Sequence, residues 1–426
     1  MANEKQKMLI TNANLFDGNH EPLQENVNIL VEGNLIRTIT KDAIQGDGVE
    51  TVIDAKNKTV IPGLVDCHTH VMITNSMHLM DQMTHDEAAA RATRIARDMI
   101  LRGFTTIRDV GGGVFGLKNA IDAGYVEGPR IYPSGAAISQ TCGHSDFRQN
   151  RAQRHPNVHN DSPFMRQGHF AIADGVPEIL RAVRSELFKG ASQIKIMAGG
   201  GAASKYDPLE TVQYTLEEMK ACVQAAADYG TYVCAHIHNK AAMLRAADAG
   251  IKCFEHASFM DDEVARRMAD DGIILCAQYA MADLVANRKI PFDAEVLYQK
   301  TERVGKAILK TGELVQKYGI KNVYGTDMPG PREVQSSQSK EFGGLKKQFG
   351  NFQGLKAATG NTTQLFEMTT CLNPYPEGKL GCLHEGSYAD LLVVKENPLA
   401  DLTVLEDSEN LELIVKDGEI FKNKLN

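Results

Sequence analysis

The feature that most limits this chain is a repeating unit, a short apolar run followed by a helical stretch, that recurs from about residue 62 to about residue 370. TTIRDVGG and ASQIKIMAGGG end in glycine loops, and TYVCAHIH, IKCFEHAS, IILCAQY and KNVYGTDMP follow them. Between these runs lie DEAAARATRIARDMILRG, TLEEMKACVQAAADYG, AAMLRAADAG, VARRMADDG and AILKTGELVQKYG, which read as helices. Thr215 with Glu218 three residues later forms a capping box for the second helix, and Gly230 ends it. Strand and helix in alternation imply parallel strands joined by right-handed crossovers. An open doubly wound sheet and a closed barrel both satisfy that rule. Polar residues stand at the end of nearly every apolar run, where a barrel collects its active site, and this favours the barrel.

Both ends of the chain have a different rhythm. MLITNANLF, NVNILVEGNLIRTI and ETVIDAKNKTVI near the start, and ADLLVVKENP and LELIVKDGEIF near the end, read as short strands broken by turns. The expected fold is therefore α/β. A (β/α)8 TIM barrel occupies residues 62–372, and a small β-sandwich domain is built from both chain ends, residues 1–61 plus 373–426.

The strand ends carry the chemistry. VIPGLVDCHTH ends in His68 and His70, QIKIM carries Lys195, VCAHIH carries His236 and His238, CFEHAS carries His256, and VYGTDMP carries Asp327. Imidazole and carboxylate are the ligands that suit zinc, manganese, iron or nickel. Residues two apart on a strand point to the same side, so His68 and His70 can face one cation. Any one of these residues alone has an ordinary explanation. A lone histidine is usually a core residue, a lysine in an apolar run snorkels, and Asp327 could cap a helix. Their joint appearance, in order, at the ends of five separate strand-like runs is poorly explained by packing alone.

With those residues in view, VIPGLVDCHTHV resembles the signature that opens the barrel in amidohydrolase-superfamily enzymes. The later lysine, histidines and aspartate follow in that superfamily's order, over essentially the whole chain. IKIMAGGGAAS is similar to the loop after the lysine strand in its imidazolonepropionase-related branch. That branch contains metal-dependent prolidases, Xaa-amino-acid dipeptidases and ochratoxin-hydrolysing carboxypeptidase-like enzymes. The resemblance implies roles. His68 and His70 hold the more buried of two divalent metal ions, zinc foremost. Lys195, N-carboxylated by CO2, bridges the pair, because an ammonium has three donors and no acceptor. His236 and His256 hold the second ion, with His238 turned toward substrate. Asp327 touches the first ion and moves a proton. A metal-bridging hydroxide is the implied nucleophile, and Asp327, Lys195, His144 and His238 are the implied catalytic group.

Substrate contacts rest on weaker signals. His144 in QTCGHSDFR has a Gly-His setting like that of a substrate-facing histidine in related peptidases. His144, His238 and Arg148 are candidates for holding a carboxylate or the scissile carbonyl, and Tyr206 for covering the pocket. A loop histidine, a solvated arginine and a turn tyrosine are the competing accounts. The expected substrate is a small-molecule amide with a free carboxylate, a dipeptide or N-acyl amino acid, ochratoxin-type amides included. A cyclic-amide or imidazolone ring hydrolase would use the same ligands, and a non-catalytic scaffold would have lost them.

Other readings are excluded or left bare. A formal net charge of −8 disfavours nucleic acid and anionic membrane as partners. No apolar run approaches the roughly 18 residues of a membrane span, and the first residues do not read as a signal peptide. Eight scattered cysteines without a CxxC pair read as reduced thiols, and a cytoplasmic location is expected. Homo-oligomers are common among the enzymes the chain resembles. GGGVFG and AGGGAAS lack the Walker lysine and the spaced dinucleotide fingerprint. Asp109 is expected to tie down the first of these loops. The polar stretch 145–170, with His155, His159 and His169, reads as a loop over the barrel mouth.

Overall fold

Val27, Ile29 and Val31 are buried while Asn28, Leu30 and Glu32 beside them are partly exposed, the period-two pattern of a strand with one face in a core. That strand, Gln24–Glu32, pairs antiparallel with Lys7–Leu15, Leu9 facing Leu30 and Ile10 facing Ile29. Lys7–Leu15 also runs parallel to Thr51–Asp54 and Thr59–Pro62. Thr59–Pro62 pairs antiparallel with Leu391–Val394, which continues through Leu411–Lys416 to Glu419–Asn423. Strands from both chain ends therefore share one eight-stranded sheet. Ile10, Leu15, Val60, Val393 and Leu413 lie together in its core. The computed structural model describes residues 6–45, 48–148, 163–281, 284 and 294–425. His155 and His159 lie outside these residues, as does most of the expected loop over the barrel mouth.

Between the two ends the strands are parallel. Leu64–Thr69, Phe104–Asp109 and Arg130–Pro133 form one sheet. The second contains, in spatial order, Phe170–Ile172, Ala137–Ser139, Ile194–Met197, Val233–Ile237, Cys253–His256, Ile274–Cys276 and Asn322–Val323. Backbone bonds join the two sheets. Ser192 N–H donates to Pro133 O at 2.8 Å, and Cys67 N–H donates to Tyr324 O at 2.8 Å. The architecture is a parallel α/β layer with an attached sheet.

The helices follow the sequence closely. Helix His85–Leu101 buries Ala88, Ala92, Ile95, Ala96 and Met99, one face at helical spacing, and Thr84 caps it by accepting from Glu87 N–H. The capping box of Thr215 and Glu218 is present on Leu216–Ala227. Two elements differ from expectation. The helix around AILKTGELVQKYG begins earlier, running Glu295–Tyr318, because Leu297 and Thr301 extend the buried face of Ile308, Thr311 and Val315. The last parallel strand covers only Asn322 and Val323, so Asp327 sits beyond it with a left-handed φ of 49°.

Arg130 fastens the terminal sheet to the parallel layer. Its buried guanidinium is paired with Asp390 and Asp417, and it lies over the Tyr388 ring at 4.1 Å. Among the described residues no helix is long and apolar enough to cross a membrane.

Candidate metal centre

Strand ends bring the predicted ligands to one cavity of about 250 Å³. His68, His70, His144, Lys195, His236, His238, His256 and Asp327 all line it. Two groups of potential ligand atoms stand out, His68–His70–Asp327 and His236–His238–His256, each with its atoms within 4.8 Å of one another. His70 Nε2 is 3.3 Å and His68 Nε2 3.5 Å from Asp327 Oδ1, while His256 Nε2 is 3.9 Å from Asp327 Oδ2. The His236 and His256 rings are 4.6 Å apart, and His68 and His256 are 5.1 Å apart, so the two groups adjoin. His256 has a φ of 70° and Asp327 one of 49°. Such backbone costs about 1–3 kcal/mol per residue and gathers where geometry serves function.

The ring orientations follow from what each imidazole bonds to behind the cavity. His68 Nδ1 lies 2.7 Å from Glu255 Oε2, and His70 Nδ1 2.8 Å from Gly111 O. His256 Nδ1 lies 2.6 Å from Gln278 Oε1, whose amide nitrogen donates to Cys276 O. A carboxylate and these carbonyls only accept, so each Nδ1 carries the proton and each Nε2 offers a lone pair to the cavity. His238 Nδ1 pairs with Ser258 Oγ at 3.0 Å. His236 Nε2 is buried with no hydrogen-bond partner among the described residues. A buried polar atom in that state calls for a partner of another kind.

The electrostatics agree with a ligand set. Burial, helped by the Lys195 charge, lowers His68 to about 4, and burial with the His144 charge lowers His238 to about 3. Burial holds His236 and His256 well below the usual imidazole range. Neutral imidazole is the form that binds metal. For His70, burial pulls down, but the hydrogen bond and charge of Asp327 outweigh it and raise the group. For Asp327, burial pulls up, yet His68, His70 and His256 hold its carboxyl well below the usual range. Neutral nitrogens, a carboxylate and one unpartnered ring atom fit divalent transition metals. Lys195 is buried and lines the same cavity from strand Ile194–Met197.

Several contributors were not among the expected site residues. Glu255, buried next to His256 in sequence, accepts from Arg108 Nη2 at 2.6 Å. Arg108 also donates to Cys67 O at 2.6 Å and Tyr232 Oη at 3.2 Å. His68, Glu255 and Cys276 also lie close enough together to suggest a metal. Arg108 and His68 take both Glu255 oxygens, so this third group is a closed ion pair. The signal was present as an acid inside CFEH and an arginine inside TTIRD, charges within strands that burial forces to pair. Asp66 ties two ligand strands together, accepting from His68 N–H at 3.1 Å and Thr326 Oγ1 at 2.6 Å.

His144 faces His236 ring to ring, with centroids 4.0 Å apart and 14° between planes. Its Nδ1 bonds Ser204 Oγ at 2.8 Å and Asp207 Oδ2 at 2.9 Å. A Cβ at Gly201 would stand 2.2 Å from His144 Cε1, so only glycine admits this approach. Arg148 donates to Asp146 at 2.6 Å and 2.8 Å. It lines, with Tyr206, an adjoining cavity of about 120 Å³ that shares Met77, Phe147, Ala203 and Leu297 with the first. Asp109 secures its glycine loop through Val71 N–H at 2.8 Å and Gly111 N–H at 3.3 Å. His169 is buried against Phe164 and belongs to neither ligand group; burial, with the charges of His85 and His70, lowers it to about 3.

The chain matches the amidohydrolase family over residues 59–421. It is 31% identical to the ochratoxinase of Aspergillus niger over 424 residues, 96% of this chain and 85% of that one. It superposes on a crystal structure of a prolidase complexed with N-methylphosphonate-L-proline with a TM-score of 0.91 and 32% identity, covering 98% of this chain and 100% of that chain. A Xaa-Pro dipeptidase with bound methionine in its active site gives a TM-score of 0.85 at 32% identity, with the same coverage. The chain belongs to the amidohydrolase family.

Proposed function

We propose that this protein is a binuclear metal-dependent hydrolase of small-molecule amides, acting on dipeptides or N-acyl amino acids with a free carboxylate. The observation that carries the reading is the cavity where His68, His70, His236, His256 and Asp327 meet, with His236 Nε2 unpartnered among the described residues. The names prolidase and Xaa-Pro dipeptidase point to cleavage at an amino acid, and ochratoxinase to ochratoxin as a substrate. A (β/α)8 barrel over 62–372 with a composite sheet domain from 1–61 and 373–426 is the matching architecture.

His68, His70 and Asp327 would hold one ion, and His236 and His256 the other. Lys195 would join both once CO2 has converted its amine to a carbamate. Bound cations of this kind, zinc among them, lower the pKa of water toward about 7 and polarise a carbonyl. The protein's part is placement and proton movement. Asp327 accepts a proton on a carboxylate oxygen and returns it to the departing nitrogen. His144 presents Nε2 to the substrate while Asp207 and Ser204 fix Nδ1, and His238 is placed to contact the same substrate. Arg148 and Tyr206 would act from the adjoining cavity, on the part of a substrate that extends beyond the centre.

Elemental analysis of the purified protein, coupled to turnover of Xaa-Pro, Xaa-Arg, N-acyl-Phe and imidazolonepropionate, tests this reading. Two divalent ions per chain and cleavage of a linear amide are expected. Less than one ion per chain with no turnover overturns it, and turnover of imidazolonepropionate alone replaces it with a ring hydrolase.

A further inference from the structure

One wall of the histidine-lined cavity is a single helix. Leu297, Thr301, Val304 and Ile308 of Glu295–Tyr318 all line it. Their spacing of four, three and four residues is one helical face. Thr301 is no exception to the apolar character of that face. Its hydroxyl donates to Leu297 O at 2.8 Å, so the polar atom is engaged within the helix and the methyl remains for a ligand.

This wall is also fixed in place. Lys300, on the same helix, is buried, and its ammonium donates to Gly201 O at 3.0 Å, Ser204 O at 2.8 Å and Asp207 O at 2.7 Å. Asp207 is the residue that holds His144. The helix and the loop orienting His144 are thereby one unit. A wall held to its neighbours selects by shape, because it cannot retreat to admit a poor fit.

We propose that this helical face is the specificity-determining surface of the site, and that it selects amides carrying an aromatic or branched apolar group beside the scissile bond. The proposal rests on the amide-hydrolase reading and adds the side-chain class to it. A single methylene in such a pocket changes discrimination roughly tenfold or more.

Binding of sulfonamide analogues, which resist hydrolysis, tests the wall without using turnover. Calorimetry would compare N-methanesulfonyl-L-phenylalanine with N-methanesulfonylglycine on the metal-loaded protein. We expect the phenylalanine compound to bind at least about tenfold more tightly. Val304→Asp should bring the two to within about twofold, since a carboxylate then meets the apolar group. If Val304→Asp does not fold, Val304→Ala serves, with the ratio falling by about threefold or more. A wild-type ratio near one, or a ratio that survives substitution in a protein with an unchanged melting temperature, overturns the proposal. Failure of the amide-hydrolase reading is seen separately, as no turnover of any amide by the wild-type enzyme, and it leaves the binding ratio readable.

Discussion

The two ligand groups of the cavity are built on the same kind of strand end, yet their surroundings differ in charge. The His68–His70–Asp327 group contains a carboxylate and has a second one behind it, Glu255, bonded to His68 and clamped by Arg108. The His236–His238–His256 group is supported by an amide, Gln278, and a hydroxyl, Ser258. A dication is stabilised by nearby anions, and histidines oriented by carboxylates are the more basic ligands. The first group is equipped to hold a cation from the residues as translated. The second has no carboxylate within it, and a carbamate on Lys195, under the proposed function, would be the anion added beside it. The lesson is that similar-looking histidine pairs can differ in what they need before they bind.

The sharpest way to break this comparison is to remove the one carboxylate facing both groups. Asp327→Asn should lower kcat by about 10²–10⁴-fold, the usual range for a lost general base, with most metal retained. Turnover close to wild type would show that another group moves the proton. Next in size is the support behind His68. Arg108→Met leaves Glu255 buried and uncompensated, and should cost about 3–5 kcal/mol in urea unfolding. The paired variant Arg108→Met with Glu255→Gln should recover part of that loss, and no recovery would deny the ion pair its structural role. Chelator competition then measures metal hold in the paired variant, expected to weaken about 10–100-fold at one ion and little at the other. Equal weakening at both would erase the proposed asymmetry. Metal loading without CO2 sharpens the same point. In degassed, bicarbonate-free buffer the protein should take up one ion per chain, and two after bicarbonate is added.

The smallest effect concerns acid, and it separates the ligand groups from the rest of the molecule. His169 is buried and lowered to about 3, whereas an unfolded histidine titrates near 6.5. The unfolded chain therefore binds a proton that the folded one refuses. Stability from this residue is complete above pH 6.5 and is lost as pH falls toward about 3. His169→Leu should relieve about 2 kcal/mol of that loss at pH 5, read from urea midpoints at pH 7 and pH 5. An unchanged pH dependence would place the acid sensitivity among the ligand histidines instead.

How far the sequence could be read depended on the distance between partners. HxH at the end of an apolar run, the capping box at Thr215 and the order of lysine, histidine and aspartate are local or ordinal signals, and all were visible. The pairing of Arg108 with Glu255 spans 147 residues, and that of His144 with Asp207 spans 63. No single sequence states which buried charges will meet across such separations. Lys300 illustrates the same limit. Its helical run predicts a helix, but its three carbonyl partners belong to a glycine loop about a hundred residues earlier, Gly201 being 99 positions away. Asp327 was found by its neighbours in the motif, while its left-handed backbone could not be foreseen from TDMP. Asn, Asp and Gly are the residues that tolerate that conformation most readily, so the carboxylate's identity suits the bend as well as the chemistry.

Arg130 has a consequence for anyone who shortens or fuses this chain. Its guanidinium sits in the parallel layer, but both of its counter-charges, Asp390 and Asp417, come from the terminal sheet. Cutting away that sheet would strand a buried cation within the layer that supports the histidines. The two ends of the polypeptide are thus a keystone for the catalytic half, and a minimal enzyme trimmed to the parallel strands alone should not hold together.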